Sequence, residues 1–307
     1  MGRAMSAAIL ACVLAPCVLA QAPMQSAPLV RVENITKVSS HVFVIPDNDV
    51  VAVSNIGIVV GSRAVLVIDT GLGVRNGKTV LGEVQRIAPG KALYVVATHA
   101  HPEHDLGATA FPANSKMIRS TDQSRDADLD LDVARMFAQR SPAMAELLKG
   151  ASFRKADVSF EQEYVLDLGE LRVRIVAMGP NHTPGDTAIL IPEDAVLFGG
   201  DIAMTRLPVF SSPQSSLNHW LAALDTFEAM MPRIIVPSHG PIGDLAFVAR
   251  ARAYLTTVRD ETVKAKQHGQ SVEVAITSVS SLLRARYPDL LPLQMTPAIR
   301  SAYAEVR

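Results

Sequence analysis

Thr98-His99-Ala100-His101-Pro102-Glu103-His104-Asp105-Leu106-Gly107 places three imidazoles and two carboxylates within seven positions. So many titratable groups are costly to bury side by side unless a positive centre holds them together. A divalent metal is such a centre. The segment ahead of the cluster, Ala92 to Thr98 with Leu93, Val95 and Val96, has the composition of a short buried strand. The cluster therefore falls where a strand ends and a loop opens, the usual place for chemistry on a layered α/β scaffold. Pro102 has no backbone donor and suits the first position of a helix, which puts Glu103 and His104 in its first turn. His99 and His101, two apart on extended chain, point to one side. One short segment thus offers four ligands to two adjacent sites.

Upstream, His41 to Ile45, Val50 to Val60 and Ala64 to Ile68 are apolar and β-branched, with a Gly61-Ser62 turn between the last two. Asp69-Thr70-Gly71 closes the third strand, and Val80, Leu81, Val84 and Ile87 give the following stretch, Val74 to Ile87, a helical spacing that Pro89-Gly90 ends. Downstream, a short helix and a strand at Lys116 to Arg119 precede a long polar helical region, Asp122 to Gly150, a candidate lid. Its Asp126, Asp128, Asp130 and Asp132 alternate, and alternate residues do not share one side of a helix, so they read as a solvated face.

Strand signals return at Tyr164 to Leu168, Leu171 to Ala177 and Thr187 to Ile191, then Ala195 to Phe198 and Ile234 to Val236, with an amphipathic helix from Leu217 to Met231. Helices follow from Leu245 to Gln267, Val272 to Arg286 and Pro297 to Val306. Three more metal-ligating residues fall at turns flanked by glycine or proline. They are His182 in Gly179-Pro180-Asn181-His182-Thr183-Pro184-Gly185-Asp186, Asp201 in Gly199-Gly200-Asp201, and His239 in Pro237-Ser238-His239-Gly240. A lone loop histidine is usually a surface or core residue, but five of the eight histidines stand in such settings.

The chain has 307 residues, 49% of them hydrophobic, and a formal net charge of −1. That length can bury one large core or two modest ones. There is no lysine or arginine run to follow a phosphate backbone, so a small-molecule substrate is expected and nucleic acid is not. Arg3 and the apolar run Ala7 to Ala20 have the form of a secretory signal cleaved after Ala20, which predicts a secreted protein, in a bacterium a periplasmic one, without a stable membrane anchor. Cys12 and Cys17 both lie inside that segment, so any metal in the mature chain is held by imidazole and carboxylate; Pro16 disfavours lipid attachment at Cys17.

From Ser39 to Gly269 these motifs, in this order, resemble the metallo-β-lactamase fold hydrolases, among them glyoxalase II, lactonases, sulfatases, phosphodiesterases and the metallo-β-lactamases. The resemblance implies a four-layer αβ/βα sandwich of two mixed β-sheets with helices on the outer faces. It divides the chain into a signal peptide (1–20), a linker (21–38), the hydrolase domain (39–269) and a helical C-terminal extension (270–307). It implies one zinc on His99, His101 and His182, a second on Glu103, His104 and His239, and Asp201 bridging both, with Asp69 hydrogen-bonding the loop that carries the ligands. The family's usual residue at position 103 is aspartate; Glu103 is one methylene longer, and its reach decides between two metals and one. Zinc suits the imidazole-rich set, although iron or manganese also accepts mixed imidazole and carboxylate ligands.

The implied activity is attack by a metal-bound hydroxide on an ester, lactone, thioester or amide carbonyl, a β-lactam included, with Glu103 or Asp201 orienting the water or taking its proton and Arg206 clamping an anionic group. A phosphodiesterase or sulfatase on the same metals, and a non-catalytic periplasmic binding protein, are the alternatives. Trp220, between Leu217, Leu221 and Leu224, reads as a core residue, and His41, His219 and His268 have no assigned role.

Overall fold

The computed structural model describes residues 27–305 apart from Asp130, Asp289 and Leu291. The segment read as a secretory signal, with both cysteines, lies outside the described residues. Strands β1 (Thr36–Lys37), β2 (Val42–Ile45), β3 (Ile56–Val60) and β4 (Ala64–Ile68) pair antiparallel in sequence order. Helix α1 (Gly73–Ile87) leads into β5 (Ala92–Val96), which pairs parallel with β4. A short α2 (Pro102–Asp105) begins at Pro102 as expected. After β6 (Lys116–Ser120) come α3 (Thr121–Leu129), α4 (Leu131–Arg140) and α5 (Pro142–Leu147), and β7 (Val158–Phe160) completes a 7-stranded sheet.

The second sheet has 5 strands in the order β12-β11-β10-β9-β8. They are β8 (Glu163–Asp167), β9 (Arg172–Ala177), β10 (Thr187–Ile191), β11 (Val196–Gly200) and β12 (Ile234–Pro237). Helix α6 (Leu217–Ala229) joins β11 to β12, and α7 (Ala246–Gln267), α8 (Val272–Arg286) and α9 (Pro292–Glu305) close the chain. Only the β11–β12 pair is parallel in this sheet.

Both sheets are covered on both faces, so their strands read as nearly continuous apolar runs. In β4, Leu66 and Ile68 join Ile175, Ile189 and Phe198 in the core between the sheets, while Val65 and Val67 pack outward with Val80 and Val84 of α1. On the outer face of the second sheet, Leu197 and Ile235 meet Trp220 and Phe227 of α6, Tyr254 of α7, Leu283 of α8 and Ile299 of α9. The result is the expected four layers, helix, sheet, sheet, helix. No helix among the described residues is long and apolar enough to cross a membrane.

Two stretches differ from expectation. Val50 to Asn55, read as the start of a strand, is a loop: Asn48, Asp49 and Ala52 take positive φ, and the Asn55 side chain ties Asp47 to Pro237 and Gly240 across the sheets. Within the stretch read as a linker, the described residues from 27 onward are docked on the domain. The Val30 N–H donates to Asn76 Oδ1 at 2.9 Å, Asn76 Nδ2 donates to the Pro28 carbonyl, and Thr36 and Lys37 pair with β2.

Candidate metal centre

The ends of β4, β5, β9, β11 and β12 converge on one edge of the sandwich. β9 and β11 both run antiparallel to β10, so the loops that follow them emerge on the same side. The sheets are bound together there by the Thr187 N–H, which donates to the Thr98 carbonyl at 2.7 Å, and by Asn55. Gly200, at φ +58, lets β11 turn against Thr98; a Cβ there would already lie 3.3 Å from the Thr98 Cβ. Gly107 lets the cluster's own segment lie on the β4–α1 turn, since a Cβ at that position would fall 2.1 Å from the Thr70 carbonyl oxygen.

His99, His101, Glu103, His104, His182, Asp201 and His239 are all brought together. They form three overlapping groups whose ligand atoms lie within 4.8 Å of one another: His99, His101 and His182; His99, His104 and Asp201; and Glu103, His104 and His239. His99 Nε2 and His101 Nδ1 are 3.0 Å apart, and His182 Nε2 is 3.2 Å from the same His101 nitrogen. His182 Nε2 is 3.5 Å from Asp201 Oδ2, and His104 Nε2 is 4.0 Å from Glu103 Oε1. The longer Glu103 side chain does reach the group that contains His104 and His239.

The face away from the cluster sets which ring nitrogen points in. His182 Nδ1 lies 2.6 Å from the Val209 carbonyl, His239 Nδ1 lies 2.9 Å from the Val53 carbonyl, and His104 Nδ1 lies 2.8 Å from Asp69 Oδ2. A carbonyl or carboxylate there accepts a hydrogen bond from Nδ1–H, so that Nε2, once free of its own proton, offers its lone pair toward the centre. His99 is held likewise through Thr98 Oγ1 at 3.1 Å, whereas His101 presents Nδ1. Asp69, at φ 62, also accepts the Thr98 N–H at 2.7 Å and the Thr98 hydroxyl, so one buried carboxylate organises the segment that carries four of the ligand candidates.

Burial holds His99 and His101 well below the ordinary histidine pKa, and the neighbouring imidazoles add to the effect. Burial also opposes charge on His104, but the Asp69 carboxylate outweighs it and pushes the pKa up to about 9. For Asp201 burial acts upward, and the imidazoles of His182 and His239 lead in holding its carboxyl well below the usual carboxylate range. Three buried atoms on residues of the cluster, Glu103 Oε2, His104 Nε2 and Asp201 Oδ1, have no hydrogen-bond partner among the described residues. Buried polar atoms are rarely left unpaired. An imidazole and carboxylate set with three such atoms fits a divalent cation, and the donor types fit zinc.

The family profile of the metallo-beta-lactamase superfamily matches residues 50–239. The chain belongs to that superfamily of metal-dependent hydrolases. The linear primary-alkylsulfatase of a Pseudomonas species is 22% identical over 288 residues, covering 80% of this chain and 52% of that protein. The chain thus spans about half the length of this curated relative. Among solved structures, a metallo-beta-lactamase from Pontibacter korlensis superposes with a TM-score of 0.58 at 21% identity, covering 72% of this chain and 98% of its own. The sec-alkylsulfatase Pisa1 from Pseudomonas sp. superposes with a TM-score of 0.66 at 14% identity, covering 88% of this chain and 49% of its own. At these identities the superpositions establish the shared fold.

Arg206 is exposed on the loop after Asp201 and lines a cavity whose described lining includes none of the clustered residues. Trp220 is a core residue as expected, and its indole N–H donates to the Ile202 carbonyl at 3.0 Å, beside Asp201. Asp126 is not on a solvated face: it accepts the Gly185 N–H at 3.3 Å in the loop that carries His182, while Asp132 is exposed and pairs with Arg135. The side chains of Asp128 and Asp130 lie outside those described.

Sequence reasoning missed three supports. Asp186 accepts the His182 N–H at 2.7 Å and the Thr183 N–H at 3.0 Å, and burial raises its pKa to about 6. Its place four residues after His182, behind Pro184-Gly185, was a legible turn signal. Thr98 lay in the quoted stretch without a role. The buried Asp105–Arg119 pair, with contacts of 2.5 and 2.7 Å, has no local signature.

Proposed function

We propose that the protein is a secreted zinc hydrolase that cleaves an ester, lactone, thioester or amide. His99, His101 and His182 would hold one zinc, Glu103, His104 and His239 a second, and Asp201 would reach both. The observation that carries this reading is the trio of buried atoms without a partner among the described residues, on Glu103, His104 and Asp201, three members of one cluster of candidate ligands. When bound, zinc supplies Lewis acidity toward a substrate oxygen and makes water acidic enough to serve as a nucleophile near neutral pH. Asp201, held in its ionised form by the surrounding imidazoles, would supply its carboxylate oxygens to the metals, the unpartnered Oδ1 among them. With the second metal position unfilled, Glu103 Oε2, which has no partner among the described residues, would be free to take a proton from the attacking water and return it to the leaving group. Asp69, Thr98 and the Val53 and Val209 carbonyls hold the imidazoles in the tautomers this arrangement needs.

A second reading, hydrolysis of a sulfate or phosphate ester on the same residues, draws support from the alkylsulfatase relative. The apolar run Ala7 to Ala20 supports export, and N-terminal sequencing of the protein from a periplasmic fraction checks it. The test of the hydrolase reading is elemental analysis of the purified chain together with chromogenic carboxylate ester, thioester, β-lactam, sulfate and phosphodiester substrates. About one to two equivalents of zinc and turnover of one class are expected. A folded protein that carries no metal, or a zinc-loaded one that turns over none of them, overturns it.

A further inference from the structure

Between the loop that follows Asp201 and the C-terminal helices lies a cavity of about 760 Å³, a size typical of small-molecule pockets. Arg206 from the loop, Arg250 from α7 and Arg286 from α8 all line it, and Leu207, Val209 and Leu290 contribute apolar wall. Its described lining contains no carboxylate. None of the three arginines forms an ion pair among the described residues, although Arg252 and Arg259 on the same α7 are paired, the first with Asp225 and Glu228 and the second with Asp260. Arg286 has a neutral partner, Thr257 Oγ1 at 3.2 Å, and its guanidinium stands 5.6 Å from the Tyr287 ring.

Three like charges around one cavity repel each other, and an anion seated among them removes that repulsion. Guanidinium groups match the paired oxygens of carboxylate, sulfate and phosphate, which adds geometric selectivity to the charge. The cavity also shares its framework with the metal centre. Thr205 on its wall lies against Gly240, next to His239, where a Cβ would be 2.8 Å from the Thr205 hydroxyl, and Val209 supplies the carbonyl that orients His182.

We infer that this cavity binds a small amphiphilic anion, with a carboxylate, sulfate or phosphate head on Arg206, Arg250 and Arg286 and an apolar body against Leu207, Val209 and Leu290. None of the candidate metal ligands lines the cavity, so anion binding there is independent of the hydrolase reading. Calorimetric titration of the full chain, zinc-loaded and chelator-treated, with hexanoate, hexyl sulfate, hexyl phosphate and hexanol tests it, and the ranking of the three anions identifies the head group. At least one anion is expected to bind both forms about tenfold or more tighter than hexanol. Arg206→Gln and Arg250→Ala are each expected to weaken that binding about fivefold, with partial recovery in Arg250→Lys. Circular dichroism checks that each variant is folded, and Arg206→Gln, on an exposed loop, keeps the test intact if Arg250→Ala does not fold. Anions that bind no better than hexanol overturn the inference. So does binding that disappears with zinc and ignores the arginines, or binding that weakens equally in Arg172→Ala on the distant strand β9.

Discussion

The two sides of the His99–His104 segment carry the same residue types and treat them in opposite ways. Behind it, Asp69 is saturated by the Thr98 N–H, the Thr98 hydroxyl and His104 Nδ1, and Asp105 is gripped at both oxygens by Arg119. In front of it, Glu103 and Asp201 are slightly more open, and their buried Oε2 and Oδ1 atoms have no donor among the described residues. A carboxylate supplied with internal donors serves as scaffold, because both its oxygens are already engaged, even where burial still raises its pKa as at Asp105. One buried without them retains binding capacity for an external cation. The front is therefore where chemistry is expected and the back is where stability is, although Glu103, His104 and Asp105 are consecutive.

The contrast breaks most directly at the front. His101→Ala is expected to leave the fold intact, remove one metal equivalent and lower kcat at least about 10³-fold, a loss of about 4 kcal/mol of transition-state stabilisation. Elemental analysis and steady-state kinetics check this, and a variant that keeps both metal and turnover removes the distinction. At the back, Asp105→Ala leaves the Arg119 guanidinium buried and unpaired, and urea denaturation is expected to show a loss of about 3–5 kcal/mol. Metal stoichiometry in the folded fraction should be unchanged; a metal loss without a stability loss would reverse the assignment of the two sides. Asp69→Asn touches the seam between them, because it keeps the shape but removes the charge that orients His104. Competition with a chromophoric chelator is expected to show metal binding weakened about 10–100-fold with the equivalents retained.

Much of this was legible in one dimension. Ten of the twelve described strands follow from apolar, β-branched runs, whereas β1 and β7, only two and three residues long, carry too short a pattern to read; Pro102 marks the start of α2 because it sacrifices no hydrogen bond there. The seven clustered side chains were legible because each lies at a turn after a strand, and strand ends on one edge of a sandwich must meet. Val50 to Asn55 misled because its apolar residues resemble strand, while its course is set by Asn55 bonding to Pro237 and Gly240 far along the chain. Asp126 misled for the same reason: its partner, Gly185, lies 59 residues away. Glu103 raised a question of reach that residue identity does not answer, since it depends on where α2 stands relative to His239.

By itself the sequence determined the layered α/β plan, the turns that bear histidine and acid, and the absence of thiolate from the candidate ligand set, because these depend on local periodicity and residue type. Tertiary structure alone decided which nitrogen each imidazole presents, since His182 and His239 are oriented by the Val209 and Val53 carbonyls, the latter 186 residues distant. It alone separated Asp69 and Asp105 from Glu103 and Asp201, and it alone gathered Arg206, Arg250 and Arg286 around one cavity. The physical reason is common to all three: the role of a buried charge is set by its neighbours in space, and those neighbours come from distant parts of the chain.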